Sequence, residues 1–307
     1  MSSDTTDARA PSALLTHGLL ALLCLVWGST WLVVKLGLRD VPPFTAAAMR
    51  FTVAGICMAV LAHLFSAREG GGRPPPLVVL AHGGFQFALN FGLVYVGETV
   101  IPSGLVAVLW AVFPIFVALG GHFVLKSERI SGARWLGFAV SFAGVAALFA
   151  TDLAAIDARA VRMGLLVLLA PLSVSVSTLL VKQRASGTSS LLLNRDAMLI
   201  GAAMLGAAAF VFESPLDVVW TERAVLSVLY LALVGTVVAF SVYMWLLRYV
   251  PASRMSLVSF VLPVIALLLG AAVDGEPLGP RTVLGAALVL GGVGLASVRT
   301  RVAEPAS

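Results

Sequence analysis

The sequence predicts an all-α membrane protein: ten transmembrane helices as two inverted five-helix repeats. Three observations predict it. Of 307 residues, 60% are hydrophobic and only 11% charged. The apolar residues fall into ten segments of roughly 20, the length that crosses a bilayer core as a helix. The second half also repeats a pattern of prolines, acid and glycines found in the first. A mean hydropathy of +1.01 cannot be hidden inside a soluble fold of this size. That excludes a soluble enzyme and a disordered chain. The net charge of +5 is scattered over short loops with no basic run, which excludes nucleic-acid binding. Cys24 and Cys57 lie in apolar stretches and read as small buried hydrophobes. No metal-ligand spacing or cofactor motif occurs.

Residues 1–13 form a polar tail, expected in the cytoplasm. The apolar run that follows carries no small-residue cleavage pattern, so it reads as an uncleaved first span. The expected spans are Leu14–Leu38, Phe44–Phe65, Leu77–Val96, Ile101–Leu125, Arg134–Ala150, Met163–Val181, Leu191–Phe212, Ala224–Val250, Arg254–Val273 and Thr282–Val298. Pro42-Pro43, the Gly70–Pro76 run, Ser186-Gly187 and Glu276-Pro277 punctuate the connections. Membrane-spanning strands are excluded because open sheet edges leave backbone groups unpaired in lipid. Twelve basic residues, among them Lys126, Arg129, Lys182 and Arg184, fall on the side of the N-terminus. Five (Arg39, Arg159, Arg162, Arg223, Arg281) fall on the other. By the positive-inside rule both termini are cytoplasmic, in a cell inner membrane.

Pro102 and Pro114 recur as Pro251 and Pro263 at an offset of 149. Glu128, Gly137 and Gly144 recur as Glu276, Gly285 and Gly292 at 148. Residues 14–150 and 163–298 therefore read as two five-helix repeats, followed by a short tail at 299–307. Five is odd, so the second repeat enters the membrane from the opposite side. Inverted repeats are a transporter signature, with the substrate held near the midplane between the halves.

Span 1 carries Trp27-Gly28-Ser29-Thr30-Trp31 and Lys35. Span 2 carries Ala46-Ala47-Ala48-Met49-Arg50-Phe51, and span 4 runs from Pro102-Ser103-Gly104 through Pro114 to Glu128. In this order and spacing the chain resembles the ten-helix EamA-type members of the drug/metabolite transporter superfamily, most of all amino-acid exporters of the YddG kind. The resemblance implies a basket of helices around a central cavity, alternating access between the repeats, and export of small metabolites, often amino acids. Span 6 departs from it, having no counterpart of the tryptophan motif.

Several residues stand out as candidates for substrate binding. His82, Gln86 and Asn90 are spaced i, i+4 and i+8, on one face of span 3. Exposing them to lipid would be costly, and two readings stay open: helix–helix glue or cavity lining. Trp110 continues a stripe of span 4 that Ser256 and Ser259 continue in span 9. Lys35 and Arg50 are charges within spans, with interface snorkelling and a structural role as the alternatives. Gly28, Pro114, Pro171 and Pro263 are the candidate hinges or kinks. Ser173, Ser175 and Ser177 can bond back to their own helix. Acidic residues reach only the span edges, at Glu98 and Asp196.

The expected function is export of amino acids or similar metabolites without ATP, since no Walker motif occurs, and without proton coupling, since no carboxylate lies mid-span. A drug or nucleotide-sugar transporter of the same fold is the alternative. A membrane-embedded enzyme would need a catalytic constellation that is not here. The expected partners are a small-molecule substrate and the lipid bilayer, with the protein a monomer.

Overall fold

The computed structural model describes residues 12–125, 130–150, 157–214, 217–246, 249–250, 255 and 258–297, and they are nearly all helical. Eight helices are long and apolar enough to cross a membrane, and two shorter apolar helices join them. In chain order, α1 is Ala13–Gly37, α2 Pro43–Glu69, α3 Pro76–Glu98, α4 Ser103–Phe123 and α5 Gly132–Leu148. Then come α6 at Ala158–Arg184, α7 at Ser190–Phe212, α8 from Glu222 to Leu246, α9 at Val258–Asp274 and α10 at Pro280–Ser297. The short ones are α5 and α9, of 17 residues each.

Local chemistry sets the starts. Pro43 opens α2 and Pro76 opens α3, where a missing N–H costs nothing. Side-chain oxygens of Ser12, Asp157, Ser189 and Thr221 accept from N–H groups of the first turns of α1, α6, α7 and α8.

Four helices are not regular. α3 passes through a π-helical stretch at Gly83–Leu89, and α8 through another at Tyr230–Val238. α4 breaks at Ala111-Val112, just before Pro114. α6 breaks at Leu168, three residues before Pro171. In α3 and α8 the main-chain hydrogen bonds shift to the wider π register, and Pro114 and Pro171 bring no N–H to the region of the breaks in α4 and α6. Pro263 is buried inside α9.

Packing pairs α2 with α7 and α5 with α10, while α1 lies on α9 and α4 on α6. The α5–α10 pair is a backbone contact. A Cβ on Gly137 would stand 2.6 Å from the Gly292 carbonyl oxygen, and one on Gly144 would stand 2.8 Å from that of Gly285. Ser141 Oγ donates across the seam to the Val289 carbonyl at 3.2 Å. Small residues allow this approach, which supplies the dispersion contact that hydrophobicity cannot supply between helices in lipid. Gly292→Leu should therefore lower the thermal stability of the detergent-solubilised protein, by about 1–3 kcal/mol as overpacking does. Gly206→Leu should leave it unchanged, because a Cβ there meets nothing within 4 Å. Equal melting of the two variants would contradict the seam.

Candidate functional site

The tryptophan motif of α1 reaches three neighbours. Trp27 Nε1 donates to the Gly235 carbonyl of α8 at 3.2 Å, within the π-helical stretch. Ser29 Oγ lies 2.7 Å from the hydroxyl of Tyr230. Gly28 faces α9: a Cβ there would stand 2.6 Å from Ile265. It is thus a point of close approach, and α1 stays unbroken across it. Trp31 meets Trp110 of α4 with ring centroids 6.2 Å apart, and Trp110 stacks on Phe113.

Trp110 also connects to α3. Its Nε1 donates to Asn90 Oδ1 at 2.9 Å, and Asn90 Nδ2 donates to the Gln86 carbonyl at 3.2 Å. Asn90 is buried, Gln86 half-buried. His82 goes elsewhere, its Nδ1 lying 2.7 Å from Ser177 Oγ of α6. The polar face of α3 thus divides, one end bonded to α6 and the other to α4. Ser173 Oγ donates to the Phe85 carbonyl at 3.0 Å, and Ser175 Oγ to the Phe113 carbonyl at 3.4 Å. These carbonyls sit in the π-helical stretch of α3, where Phe85 also accepts from Asn90 N, and just after the α4 break. Each hydroxyl has one hydrogen and shares it with its own helix, where the contact is shorter: 2.8 Å to the Ala170 carbonyl and 2.7 Å to that of Pro171.

Arg50 of α2 is 5% exposed. Its Nε and Nη2 both donate to Thr236 Oγ1 at 3.2 Å, and Nη1 reaches the Tyr95 hydroxyl at 3.5 Å. The guanidinium lies over the Phe91 ring at 4.7 Å and the Phe51 ring at 5.2 Å. Among the described residues its hydrogen-bond partners are neutral hydroxyls. Lys35 Nζ donates to the carbonyls of Glu98 at 2.5 Å and Ile101 at 3.3 Å, so it is tied to the α3–α4 connection. Ser259 is half-buried in α9, and Ser256 lies outside the described residues.

Carboxylates cap helix ends. Glu213, following α7, accepts from the N–H groups of Phe44 at 2.6 Å and Thr45 at 2.9 Å, at the start of α2. Glu69, ending α2, accepts in return from the N–H groups of Ser190 at 3.1 Å and Leu191 at 3.2 Å, at the start of α7. Burial pushes the Glu69 carboxyl up, but these bonds and the hydroxyls of Ser189 and Ser190 hold it below the usual range. Glu276 accepts from Ser103 N at 2.6 Å and Gly104 N at 3.0 Å, at the start of α4.

Loops are clasped at both ends. Asp40, after α1, takes Arg223 Nε and Nη2 and Thr221 Oγ1, all at 2.7 Å, while its carbonyl accepts from Val219 N at 2.9 Å. Arg39 pairs with Asp274. At the other end a parallel bridge joins Gly72 to Thr188. There Gly72 N donates to the Gly187 carbonyl, and Ser189 N to that of Gly72. Gly71 (φ 88°) allows this contact, since a Cβ would stand 2.8 Å from Ser189 N.

Two cavities run along α2, α7 and α8. One, of about 460 Å³, is lined almost wholly by apolar groups such as Met49, Phe210 and Trp220. The other, of about 510 Å³, includes Glu69, Ser190, Asn194 and Trp245. Neither is lined by His82, Gln86, Asn90, Trp110, Lys35 or Arg50. Of these, Arg50 and Asn90 are buried and Lys35, His82, Gln86 and Trp110 half-buried. Thr236, Tyr95, Ser177 and Glu98 complete their surroundings without having been singled out as site residues. The sequence signal for them is slight: a hydroxyl or acid in an apolar span.

A model of the EamA-like transporter family matches residues 14–150 and again 162–298. The chain belongs to that family. Among curated relatives, the uncharacterized transporter YoaV of Bacillus subtilis is 28% identical, over 88% of this chain and 92% of that protein. The uncharacterized inner membrane transporter YedA of Escherichia coli is 30% identical, over 85% and 83%. A protein of Salmonella typhimurium named a probable amino-acid metabolite efflux pump is 29% identical, over 90% and 93%. One crystal structure, at 20% identity, superposes with a TM-score of 0.63 over 93% of this chain and 97% of that one, a likeness of fold. Family and relatives are transporters rather than enzymes, and the protein is a multi-pass membrane protein.

The Asp40 clasp carries a pH signature. The bonds from Arg223, then Thr221, hold its carboxyl down to about 2, from the usual 3.8. The folded form is the weaker proton binder, so the contribution is full above the ordinary Asp range and lost as pH falls toward 2. Acidification from pH 5 toward pH 3 should therefore cost the wild type thermal stability that Asp40→Asn does not lose. Parallel melting profiles would contradict the clasp.

Proposed function

We propose that this chain exports small carboxylate-bearing metabolites, foremost amino acids, across the cell inner membrane by alternating access and without ATP. The observation that carries the proposal is Arg50: a guanidinium buried between α2, α3 and α8, boxed by Phe51, Phe91 and Tyr95, whose hydrogen-bond partners among the described residues are neutral hydroxyls. A planar fork of donors in an apolar setting suits a carboxylate. An aromatic wall beside it suits the rest of an amphipathic solute. The name of the Salmonella relative points the same way.

Residues 14–150 and 163–298 act as two inverted repeats, all ten helices cross the membrane, and both termini are cytoplasmic. The double family match supports two repeats. So does the reciprocity of the contacts: Glu69 caps α7 as Glu213 caps α2, and the α1–α9 pairing answers the α6–α4 pairing. The π-helical stretches of α3 and α8 fall at matching places. In this reading Lys35, His82, Gln86, Asn90, Trp110, Ser256 and Ser259 join Arg50 around a cavity that opens between the halves. Gly28, Pro114, Pro171 and Pro263 serve as points where helices pivot. The monomer is the working unit. Proton independence is not part of the proposal. Glu98 stands at a span edge as expected, yet it is enclosed rather than in water.

Proteoliposomes loaded with radiolabelled amino acids, with sugars, nucleotide sugars and hydrophobic cations as comparison solutes, test this. Amino acids should exchange, with Arg50→Gln at least about tenfold slower, as loss of a charged hydrogen bond implies. Trp110→Ala and Gln86→Ala should also be impaired while still folded and inserted. Transport of the comparison solutes alone, or full activity in Arg50→Gln, would overturn the proposal.

A further inference from the structure

Glu98 is the last residue of α3, where the α1–α2 and α3–α4 connections meet. Its side chain is 0% exposed, and among the described residues neither carboxylate oxygen has a hydrogen-bond partner. The charged groups acting on it come from three other segments: Lys35 of α1, Arg50 of α2, and Glu276 between α9 and α10. Each is already engaged. Lys35 holds the main-chain carbonyls of Glu98 and Ile101, Arg50 bonds Thr236 and Tyr95, and Glu276 caps α4. On α3 itself the titratable neighbour is Tyr95. From α6, Val167 packs against Gly97, and its basic residues Arg159 and Arg162 are exposed. On α4, Ser103 Oγ is likewise enclosed and without a partner.

A bare carboxylate shut away from water without one hydrogen bond is among the costliest groups a fold can hold, and taking up a proton removes that cost. Contacts between segments tie this end together: Glu276 on the start of α4, Lys35 on the α3–α4 connection, and the Arg39–Asp274 pair. Those contacts must part if this end is to open. Opening would hydrate the carboxylate and bring water to the Ser103 hydroxyl.

We propose that Glu98 is a proton-binding site linked to closure of this end of the protein. The closed form holds the carboxylic acid. Opening releases the proton to water, –COOH + H2O going to –COO⁻ + H3O⁺, and closing takes one back. Acid on this side favours closure and alkali favours opening. The consequence for flux rests on the transport reading above, whereas the proton site itself does not.

Two measurements on the full chain in liposomes test it. Infrared difference spectra should show the C=O stretch of a buried protonated carboxyl that Glu98→Gln abolishes. In a Cys24→Ala/Cys57→Ala background, Ile101→Cys, at a residue 0% exposed in the closed form, should react with a maleimide at a rate that rises with pH several-fold more than thiolate formation alone accounts for, taken from the same reaction in detergent-denatured protein. Adding Glu98→Gln should remove that excess, leaving a slow reaction whose pH dependence is that of the thiol alone. Identical spectra for wild type and Glu98→Gln, or the same pH profile with and without the substitution, would overturn the proposal. Should Ile101→Cys fail to fold, the spectra decide alone. Amino-acid exchange assayed in the same liposomes separates the two readings. A Glu98 band without exchange leaves the proton site standing and removes the transport reading, and exchange without the band does the reverse.

Discussion

The first N–H groups of a helix have no partner within it, and lipid offers none. Three helices here meet that demand with a carboxylate brought from far along the chain. Glu213 reaches α2 from 169 residues away, Glu276 reaches α4 from 173, and Glu69 reaches α7 from 121. A carboxylate aimed at a positive helix end gains from the dipole as well as from the hydrogen bonds. These contacts decide where the connections lie. With α2 and α7 each capping the other, their lengths and register are tied. Glu276, seated on α4, also acts electrostatically on Glu98, enclosed at the end of α3.

Side chains also reach main-chain carbonyls along the irregular helices. Serines of α6 touch the Phe85 carbonyl in the π-helical stretch of α3 and the Phe113 carbonyl beside the α4 break. In α8, Thr236 Oγ1 donates to the Leu231 carbonyl at 2.8 Å and accepts from Arg50. Most polar side chains in the spans are thus committed to main chain or to one another. Glu98 is the exception that matters, a buried acid without a hydrogen-bond partner among the described residues. Arg50 is satisfied but unusual, a buried cation whose partners among the described residues are neutral hydroxyls.

Much of the fold was legible because bilayer thickness makes apolar run length a direct measure of a helix. The ten expected segments coincide with the apolar helices to within a few residues, except that α6 begins at Ala158 rather than Met163; residues 247–248, before the expected end of span 8, and Arg254, the expected start of span 9, lie outside the described residues. Gly137, Gly144, Gly285 and Gly292 were recognisable as a seam because seven-residue spacing holds one helix face. The π-helical stretches were not legible, since no residue type marks them as a proline marks a break. Nor was the condition of Glu98. From the letters it is an acid at a span edge, and edges ordinarily meet water. The charges acting on it come from Lys35 and Glu276, 63 and 178 residues away, and no local pattern encodes such a meeting. The pairing of Asn90 with Trp110 lay closer to hand, since both were marked and sit on adjacent spans. His82 bonds α6 instead, which span order does not reveal.

The central claim is that carboxylates from distant segments hold the buried helix ends. Hydrogen exchange read by mass spectrometry on the membrane-embedded protein tests it most directly, comparing wild type with Glu213→Ala. Exchange at Phe44 and Thr45 should rise sharply in the variant, while Ser190 and Leu191, capped by Glu69, stay as protected as before. Unchanged protection at the start of α2 would contradict the claim.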